Sequence, residues 1–246
     1  MGSKHIHIGT SGWNYKHWRG PFYPEDLPPK KWQAYYMERF QTVEVNNTFY
    51  KLPDKKTFEK WRTGAAEGFT YAVKASRYIT HMKKLKDPQG PLSNFLDHAG
   101  VLGDKLGPVL FQLPPRFKCN LERLEGFLAA LPGEFRFAFE FRDHSWWDPN
   151  VYELLRQYNA ACCAFDLEGQ QSPVELTADF AYIRLHGPQG AYQGQYDDST
   201  LSDWAEHFHY WLKQGLDVFC YFDNDENGYA ARDALRLQEK MRQQRN

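Results

Sequence analysis

Residues 182–187 read Tyr-Ile-Arg-Leu-His-Gly, and this short stretch carries the clearest indication of the fold. Side chains alternate across a β-strand, so Ile183 and Leu185 share one face of the stretch. The opposite face carries Tyr182, Arg184 and His186. In a closed barrel one face of each strand packs against helices and the other lines the lumen, which explains an apolar face opposite a charged one.

Seven further segments are short, apolar or aromatic, and bounded by turn residues. The eight predicted strands cover residues 6–9, 43–46, 70–74, 109–113, 137–141, 161–165, 182–186 and 218–222. Helical periodicity lies between most of them, at residues 30–40, 121–131, 151–158 and 201–213, with a final helix over 229–241. Alternating strands and helices predict a parallel sheet covered by helices, and eight units in 246 residues favour an α/β fold of the (β/α)8 TIM barrel type.

Breaker residues refine this prediction. Residues 167–179 contain Gly169 and Pro173, so we expect a reduced crossover between predicted strands six and seven. An open doubly wound sheet would place a GxGxxG turn after its first strand, and residues 9–12 lack it. No Gly-, Ser- or Pro-rich linker divides the chain, which predicts a single domain over residues 1–246.

Two helix starts carry capping signals. Asp148 precedes Pro149, a residue favoured at the first helical position. Thr200 lies three residues before Asp203, which predicts a capping box at the start of that helix.

Polar side chains gather at the carboxyl ends of the predicted strands. Fully buried parallel strands are normally apolar throughout, so a recurrent charged face indicates a lumen that opens into a ligand pocket. The alternative is a closed network of ion pairs that stiffens the barrel mouth. The candidates on this face are Glu44, Asn46, Lys74, Gln112, Glu140, Arg142, Asp166, Arg184 and His186.

Loops at the same end supply further candidates. A Gly-rich loop follows strand seven and contains Gly187 and Tyr192, and such loops hold anions in many barrels. Asn224 follows strand eight closely, whereas Asp225 is equally suited to capping the next helix. Trp13 lies in the aromatic loop after strand one and is suited to stacking on a ring. We therefore predict Trp13, Gly187, Tyr192 and Asn224 as substrate-binding residues.

Composition limits the partners. Thirty Lys and Arg oppose 31 Asp and Glu, so the net charge of the chain does not attract nucleic acid. Nucleic acid is therefore a possible partner that the composition does not favour. No apolar run is long enough to span a membrane or to form a signal peptide, and we expect a cytoplasmic protein with no membrane partner. The four cysteines form no CxxC pair and are expected to be buried thiols. The oligomeric state is left open.

A metal site is the more specific alternative to a pocket that binds a ligand without a metal. Glu44, Glu140, Asp166 and His186 are of the ligand types that divalent metals use. The interleaved cations Lys74, Arg142 and Arg184 repel a metal, so no metal ligand or cofactor is predicted, while a divalent metal stays open. No GxSxG motif supports a serine hydrolase.

Several ordered motifs resemble the YecE-like family, a domain of unknown function numbered seventy-two. They are Gly-Thr-Ser-Gly-Trp at 9–13, Glu-Val-Asn-Asn-Thr-Phe-Tyr at 44–50, Glu-Phe-Arg at 140–142, Arg-Leu-His-Gly at 184–187 and Tyr-Phe at 221–222. The resemblance spans nearly the whole chain and implies a TIM-type barrel whose activity is not established. The chain departs from the pattern at Asp223, where the family often carries Asn.

These observations lead to three functional hypotheses. The first is an enzyme of the hydrolase or lyase type that acts on a small polar or anionic substrate, phosphorylated compounds included, at the carboxyl ends of the strands. In it Glu44, Glu140 and His186 are catalytic, and Arg142, Arg184 and Lys74 bind charge. The second is a metal-assisted phosphodiester hydrolase that acts on nucleic acid. The third is a metabolite-binding module without catalysis.

Overall fold

The computed structural model describes residues 5–243. Its strands are β1 (Ile6–Thr10), β2 (Thr42–Val45), β3 (Thr70–Lys74), β4 (Leu106–Gln112), β5 (Phe137–Glu140), β6 (Ala161–Leu167), β7 (Gln170–Gln171), β8 (Phe180–Leu185) and β9 (Asp217–Phe222). Its α-helices are α1 (Trp32–Met37), α2 (Asn47–Tyr50), α3 (Lys55–Gly64), α4 (Gln89–Ala99), α5 (Leu121–Leu128), α6 (Pro149–Gln157), α7 (Asp198–Lys213) and α8 (Tyr229–Gln243). All eight predicted strands are therefore present, each with ends shifted by at most three residues.

The strand order is that of a (β/α)8 barrel. It runs β1-β9-β8-β6-β5-β4-β3-β2, and β7 pairs with β6 outside this path. A parallel bridge between Ser11 and Glu44 then links the end of β1 to β2. The predicted α/β fold of the TIM type is confirmed.

The crossover between β6 and β8 is reduced, as predicted. No helix lies within residues 168–179, all of which the structure describes. Side chains of this crossover satisfy two backbone N–H groups of β6: Ser172 Oγ accepts from the Phe165 N–H at 2.8 Å, and Thr177 Oγ1 accepts from the Cys162 N–H at 2.7 Å.

The chain divides into two compact units. The first comprises the residues up to Glu44, Ala164–Ser172 and the residues from Asp179 on. Its strands β1, β9 and β8 pair in parallel, and α7 buries Leu201, Trp204 and Phe208 on one face. The capping prediction for α7 was wrong, because the helix begins a turn earlier: Asp197 is the N-cap and its carboxylate accepts from the Thr200 N–H at 2.7 Å.

The second unit comprises Val45–Cys163 and Pro173–Ala178. Its strands β3, β4 and β5 pair in parallel, and stacked rings of Phe111 and Phe139, with centroids 5.2 Å apart, fill its core. Asp148 caps α6 with Pro149 at the first position, which confirms that prediction. A π-helical turn, Tyr78–Met82, follows β3. The prediction of a single domain over both units stays a prediction.

Within residues 5–243 the structure contains no helix of sufficient length and apolar character to span a bilayer.

Candidate functional site

A buried carboxylate, Glu44, lies at the centre of the polar cluster in the first unit. Its side chain has no exposed surface and accepts hydrogen bonds from three neighbours. Ser11 Oγ donates to Oε1 at 2.5 Å and Tyr182 Oη donates to Oε2 at 2.6 Å. Arg184 Nη2 and Nε donate to Oε1 at 2.8 and 3.1 Å. This donor set compensates the cost of burying the charge.

Arg184 links this carboxylate to the end of β9. Its Nη2 also lies 3.1 Å from Asp223 Oδ2, and its Nη1 lies 3.3 Å from His186 Nε2. His186 Nδ1 lies 3.0 Å from the same Asp223 oxygen. Because a guanidinium only donates hydrogen bonds, His186 Nε2 must accept and the Nδ1–H donates to Asp223. The His186 ring thus links Arg184 to Asp223 within the network.

The alternation along β8 explains this arrangement. Tyr182, Arg184 and His186 point to the same side, as predicted, and all three are buried. The network resembles the closed set of ion pairs that the sequence left open as an alternative. Asp223, at 8% exposure, is its most accessible carboxylate. Among the carboxylates of this network, Asp223 therefore retains the most exposed surface.

A second carboxylate, Asp166 at the end of β6, is in a different environment. It is 4% exposed, and its Oδ1 has no hydrogen-bond partner among the described residues. Burial raises the pKa of Asp166, although the Tyr196 hydroxyl and His186 act in the opposite direction. The His186 N–H donates to the Asp166 carbonyl oxygen at 2.8 Å, so the two strand ends are adjacent. A buried carboxyl with a raised pKa is a candidate proton donor.

Asn224 anchors the loop after β8. It is fully buried, and its Nδ2 donates to the Gly194 carbonyl at 2.8 Å and to Asp233 Oδ2 at 2.9 Å. Asp233 Oδ2 also accepts from the Tyr196 N–H at 3.0 Å. Burial raises the pKa of Asp233. The predicted substrate-binding role of Asn224 stays a prediction, and the contacts show that the residue holds the loop in place.

The loop itself needs glycine at Gly187. This residue has φ 119°, and a Cβ there would lie 2.3 Å from the Gln193 carbonyl oxygen. The tight loop places the Tyr192 ring 5.8 Å from the His186 ring, edge to face. Tyr192 and His17, with Asp225 and Glu226, line an open cleft of about 390 Å³. Burial and the nearby Asp223 raise the pKa of Asp225.

The loop after β1 is held by hydrogen bonds from tyrosine side chains to its backbone carbonyl groups. Trp13 is half-buried, and its carbonyl accepts from Tyr23 Oη at 2.5 Å. Tyr15 Oη donates to the Ser11 carbonyl at 2.6 Å. Burial, with the Asp223, Asp225 and Glu44 carboxylates, raises the pKa of Tyr15 above its ordinary value. The Tyr15 hydroxyl therefore stays protonated and holds the Ser11 backbone.

The remaining predicted site residues lie in the second unit. Glu140 is fully buried and accepts from Arg142 Nε, and Cys163 Sγ lies 4.0 Å from Glu140 Oε2. Gln112 pairs in register with Glu140 on the neighbouring strand and is half-buried. The structure thus brings Glu140 together with Arg142, and the predicted joint action of Glu140 with Glu44 stays a prediction.

Lys74 is the last residue of β3, and Asn46 directly follows β2. The Lys74 ammonium lies 4.6 Å from the centroid of the Phe49 ring, a cation–π contact. Asn46 is half-buried and lies at the start of α2, where its side chain makes no capping hydrogen bond. The predicted substrate-binding roles of Lys74 and Asn46 stay predictions.

The predicted catalytic and substrate-binding residues did not include Ser11, Tyr182, Tyr196, Asp223 or Asp233. Tyr182 was indicated by the alternation of side chains along β8, which places it on the same face as Arg184. Asp223 was indicated by its place directly after the end of β9. For Asp233 the signal was its place on the buried face of α8, beside Ala230 and Ala234. Among residues 5–243, no group of three or more His, Cys, Asp or Glu side chains has a geometry that could hold a metal ion.

These features define the class of protein: an α/β barrel with a buried ionic network and carboxylates at the carboxyl ends of its strands. The chain belongs to the family described as protein of unknown function DUF72, whose model matches residues 7–246. The resemblance read from the ordered motifs is confirmed.

Individual relatives agree with this assignment. The UPF0759 protein YunF of Bacillus subtilis (strain 168) is 29% identical over 269 aligned positions, which cover 96% of this chain and 94% of the relative. The UPF0759 protein YecE of Escherichia coli (strain K12) is 30% identical over 140 positions, which cover 56% of this chain and 48% of that protein. A DUF72 family protein from Thermotoga maritima superposes with a TM-score of 0.87 at 28% identity and covers 97% of this chain and 99% of its own.

Proposed function

We propose that this protein is an enzyme that uses acid–base catalysis on a small polar substrate at the carboxyl ends of β6, β8 and β9. The observation that carries the proposal is a pair of carboxyl groups in opposite environments on this edge of the first unit. Burial raises the pKa of Asp166. Asp223 instead accepts from Arg184 and His186, which stabilises its ionised form. Two carboxyl groups whose environments favour opposite protonation states can serve as acid and base.

In this proposal Asp166 donates a proton and Asp223 accepts one. Glu44 and His186, predicted as catalytic residues, act on the substrate through Arg184 and Asp223, because both are buried and already hydrogen-bonded. They are positioning residues that fix the direction of the Asp223 carboxylate. Proton transfer of this kind supports hydrolysis or elimination, the two reaction types expected from the sequence.

The charges around the site favour a substrate that donates hydrogen bonds. The cleft beside His186 is lined by Asp225 and Glu226, and its cationic candidate, His17, lies 3.2 Å from Asp225. Arg184 is already held by Glu44 and Asp223. A substrate with hydroxyl or amine groups suits these acceptors better than a phosphate, and the anionic substrate predicted from the sequence stays a prediction for the assay to test.

The proposal is tested by incubating the purified protein with a defined set of polar metabolites, phosphorylated members included, and following their loss by mass spectrometry. We expect a compound that the wild type consumes and that Asp166→Asn or Asp223→Asn consumes at least about 100-fold more slowly. Asp203→Asn, an exposed position on α7, is the matched control and should retain full activity. The rate should also fall as the pH rises through the pKa of Asp166, because only the protonated form donates.

Three outcomes would count against the proposal. Consumption by Asp166→Asn at the wild-type rate would remove Asp166 from the chemistry. A compound that raises the melting temperature without being consumed would favour a binding module. Activity on a phosphodiester that appears only with added Mg²⁺, Mn²⁺ or Zn²⁺ would favour the metal-assisted alternative.

A further inference from the structure

The loops that follow β3 and β4 form a basic surface in the second unit. Between Lys74 and Lys86 the chain carries five Lys or Arg and no Asp or Glu. The loop between β4 and α5 adds Arg116 and Lys118, and α5 adds Arg123. The two loops meet at the Phe117 ring, whose centroid lies 5.7 Å from Lys84 Nζ and 5.6 Å from the Arg123 guanidinium.

Half of these eight cations are exposed and are not neutralised by an ion pair with another described residue. Lys83 pairs with Asp87 at 3.0 Å, and Lys118 pairs with Asp143 at 3.4 Å. Four others are exposed and make no ion pair with any residue in the described part of the chain: Arg77, Lys84, Lys86 and Arg116. Four unpaired cations on two adjoining loops form a surface suited to a partner with repeated negative charges.

Exposed rings lie on the loop after β3 and on the adjacent helix α2. Tyr78 is 45% exposed on the π-helical turn after β3, between Arg77 and Lys83. Tyr50 is 75% exposed, and its ring lies 5.0 Å from the Phe49 ring, which contacts Lys74 and His81. Single π-helical turns occur frequently at functional sites, and this one sets an aromatic ring among cations. We call the surface formed by Tyr50, Arg77, Tyr78, Lys84, Lys86 and Arg116 the basic aromatic surface.

We propose that the basic aromatic surface binds single-stranded nucleic acid. Proteins that bind single strands combine cations that follow the phosphates with aromatic rings on which bases stack, and both parts are present here. A duplex keeps its bases stacked and offers no partner to the tyrosines. An acidic membrane requires a broad aliphatic face, whereas Met82 is the exposed aliphatic side chain that this turn supplies. The proposal is independent of the proposed enzyme activity, which rests on residues of the first unit.

The test is a fluorescence anisotropy titration of the full chain against labelled 12-mers of oligo(dT) and oligo(rU), which distinguish DNA from RNA. If the four unpaired cations contact four phosphates, log K falls with log salt with a slope of about −2.8, or about 50-fold between 50 and 200 mM salt. Tyr78→Ala should weaken binding about tenfold through the lost stacking. The double variant Lys86→Gln/Arg116→Gln should reduce the slope to about −1.4.

A matched control removes the same charge elsewhere in the second unit. Lys56→Gln/Lys60→Gln changes two exposed lysines of α3 and should leave the affinity within about twofold. Circular dichroism spectra that match the wild type would show that the variants are folded. The proposal is overturned by an absence of binding at 50 mM salt, by equal weakening in the control, or by equal affinity for a duplex, for polyglutamate or for phosphatidylserine vesicles.

Discussion

Replacing Glu44 with Gln tests whether the buried ionic network stabilises the first unit. The substitution keeps the size of the side chain and removes the charge that Arg184 contacts through Nε and Nη2. Breaking a buried ion pair from one side costs about 3–5 kcal/mol, because the other charge stays buried. Arg184 retains Asp223 as a partner at 3.1 Å, so we expect the lower end, about 3 kcal/mol.

Urea unfolding followed by circular dichroism measures this loss, and the melting temperature gives a second readout. At about 2–4 °C per kcal/mol for a chain of this size, the melting temperature should fall by about 6–12 °C. The double variant Glu44→Gln/Arg184→Met should be less destabilised than the sum of the single variants, because the first substitution already breaks the pair.

Glu38→Gln is the control, because Glu38 is exposed and pairs with Arg39 at 3.1 Å on the surface. Its effect should stay within about 1 kcal/mol. A loss below about 1 kcal/mol in Glu44→Gln, or strict additivity with Arg184→Met, would refute the view that the network is a coupled unit.

Three further predictions concern single positions. Because burial raises the pKa of Asp166, its protonation stabilises the folded state at low pH and that contribution is lost as the pH rises through the folded pKa. Asp166→Asn should therefore raise the melting temperature more at pH 7 than at pH 4, and an equal change at both would contradict the assignment. Gly187→Ala should lower the free energy of urea unfolding by about 1–3 kcal/mol, because Gly187 has φ 119° and a Cβ there meets the Gln193 carbonyl. The control Gly126→Ala, in α5 with open space around it, should be neutral or stabilising. Asp197→Ala should lower the free energy of unfolding by about 1 kcal/mol, because it removes the cap of α7. Thr200→Ala should change it by less than about 0.5 kcal/mol. A larger loss in Thr200→Ala than in Asp197→Ala would restore Thr200 as the cap.

The fold was predictable because the helical repeat of apolar residues and the alternation of side chains along a strand are local properties of the sequence. Tyr182 and Arg184 alternate with Ile183 and Leu185 in the sequence as they do in β8, so the buried polar face could be read directly. The α7 cap was misassigned because Asp197, Asp198 and Thr200 all have capping side chains. Only the backbone geometry, with Asp197 at ψ 168°, distinguishes the residue outside the helix from those inside it.

The sequence indicated which residues lie together on the inner face of the strands, but it did not indicate the hydrogen bonds that they make. Parity placed Glu44, Arg184 and His186 on the inner face, but it did not show that they saturate one another's hydrogen bonds. That property depends on distances between strands that are remote in sequence. The same applies to Asp223: its carboxylate becomes important because Arg184 and His186 both reach one of its oxygens.

Composition was least informative about partners, because net charge averages over surfaces that a ligand contacts separately. The second unit carries 17 Lys and Arg against 14 Asp and Glu, and the first carries 13 against 17, although the whole chain has a net charge of −1. At physiological salt, charges beyond about 8 Å are largely screened, so a bound strand responds to the cations it touches. The salt dependence of oligonucleotide binding should therefore count the unpaired cations of the basic aromatic surface, and a slope near zero would mean that the average charge was the better guide after all.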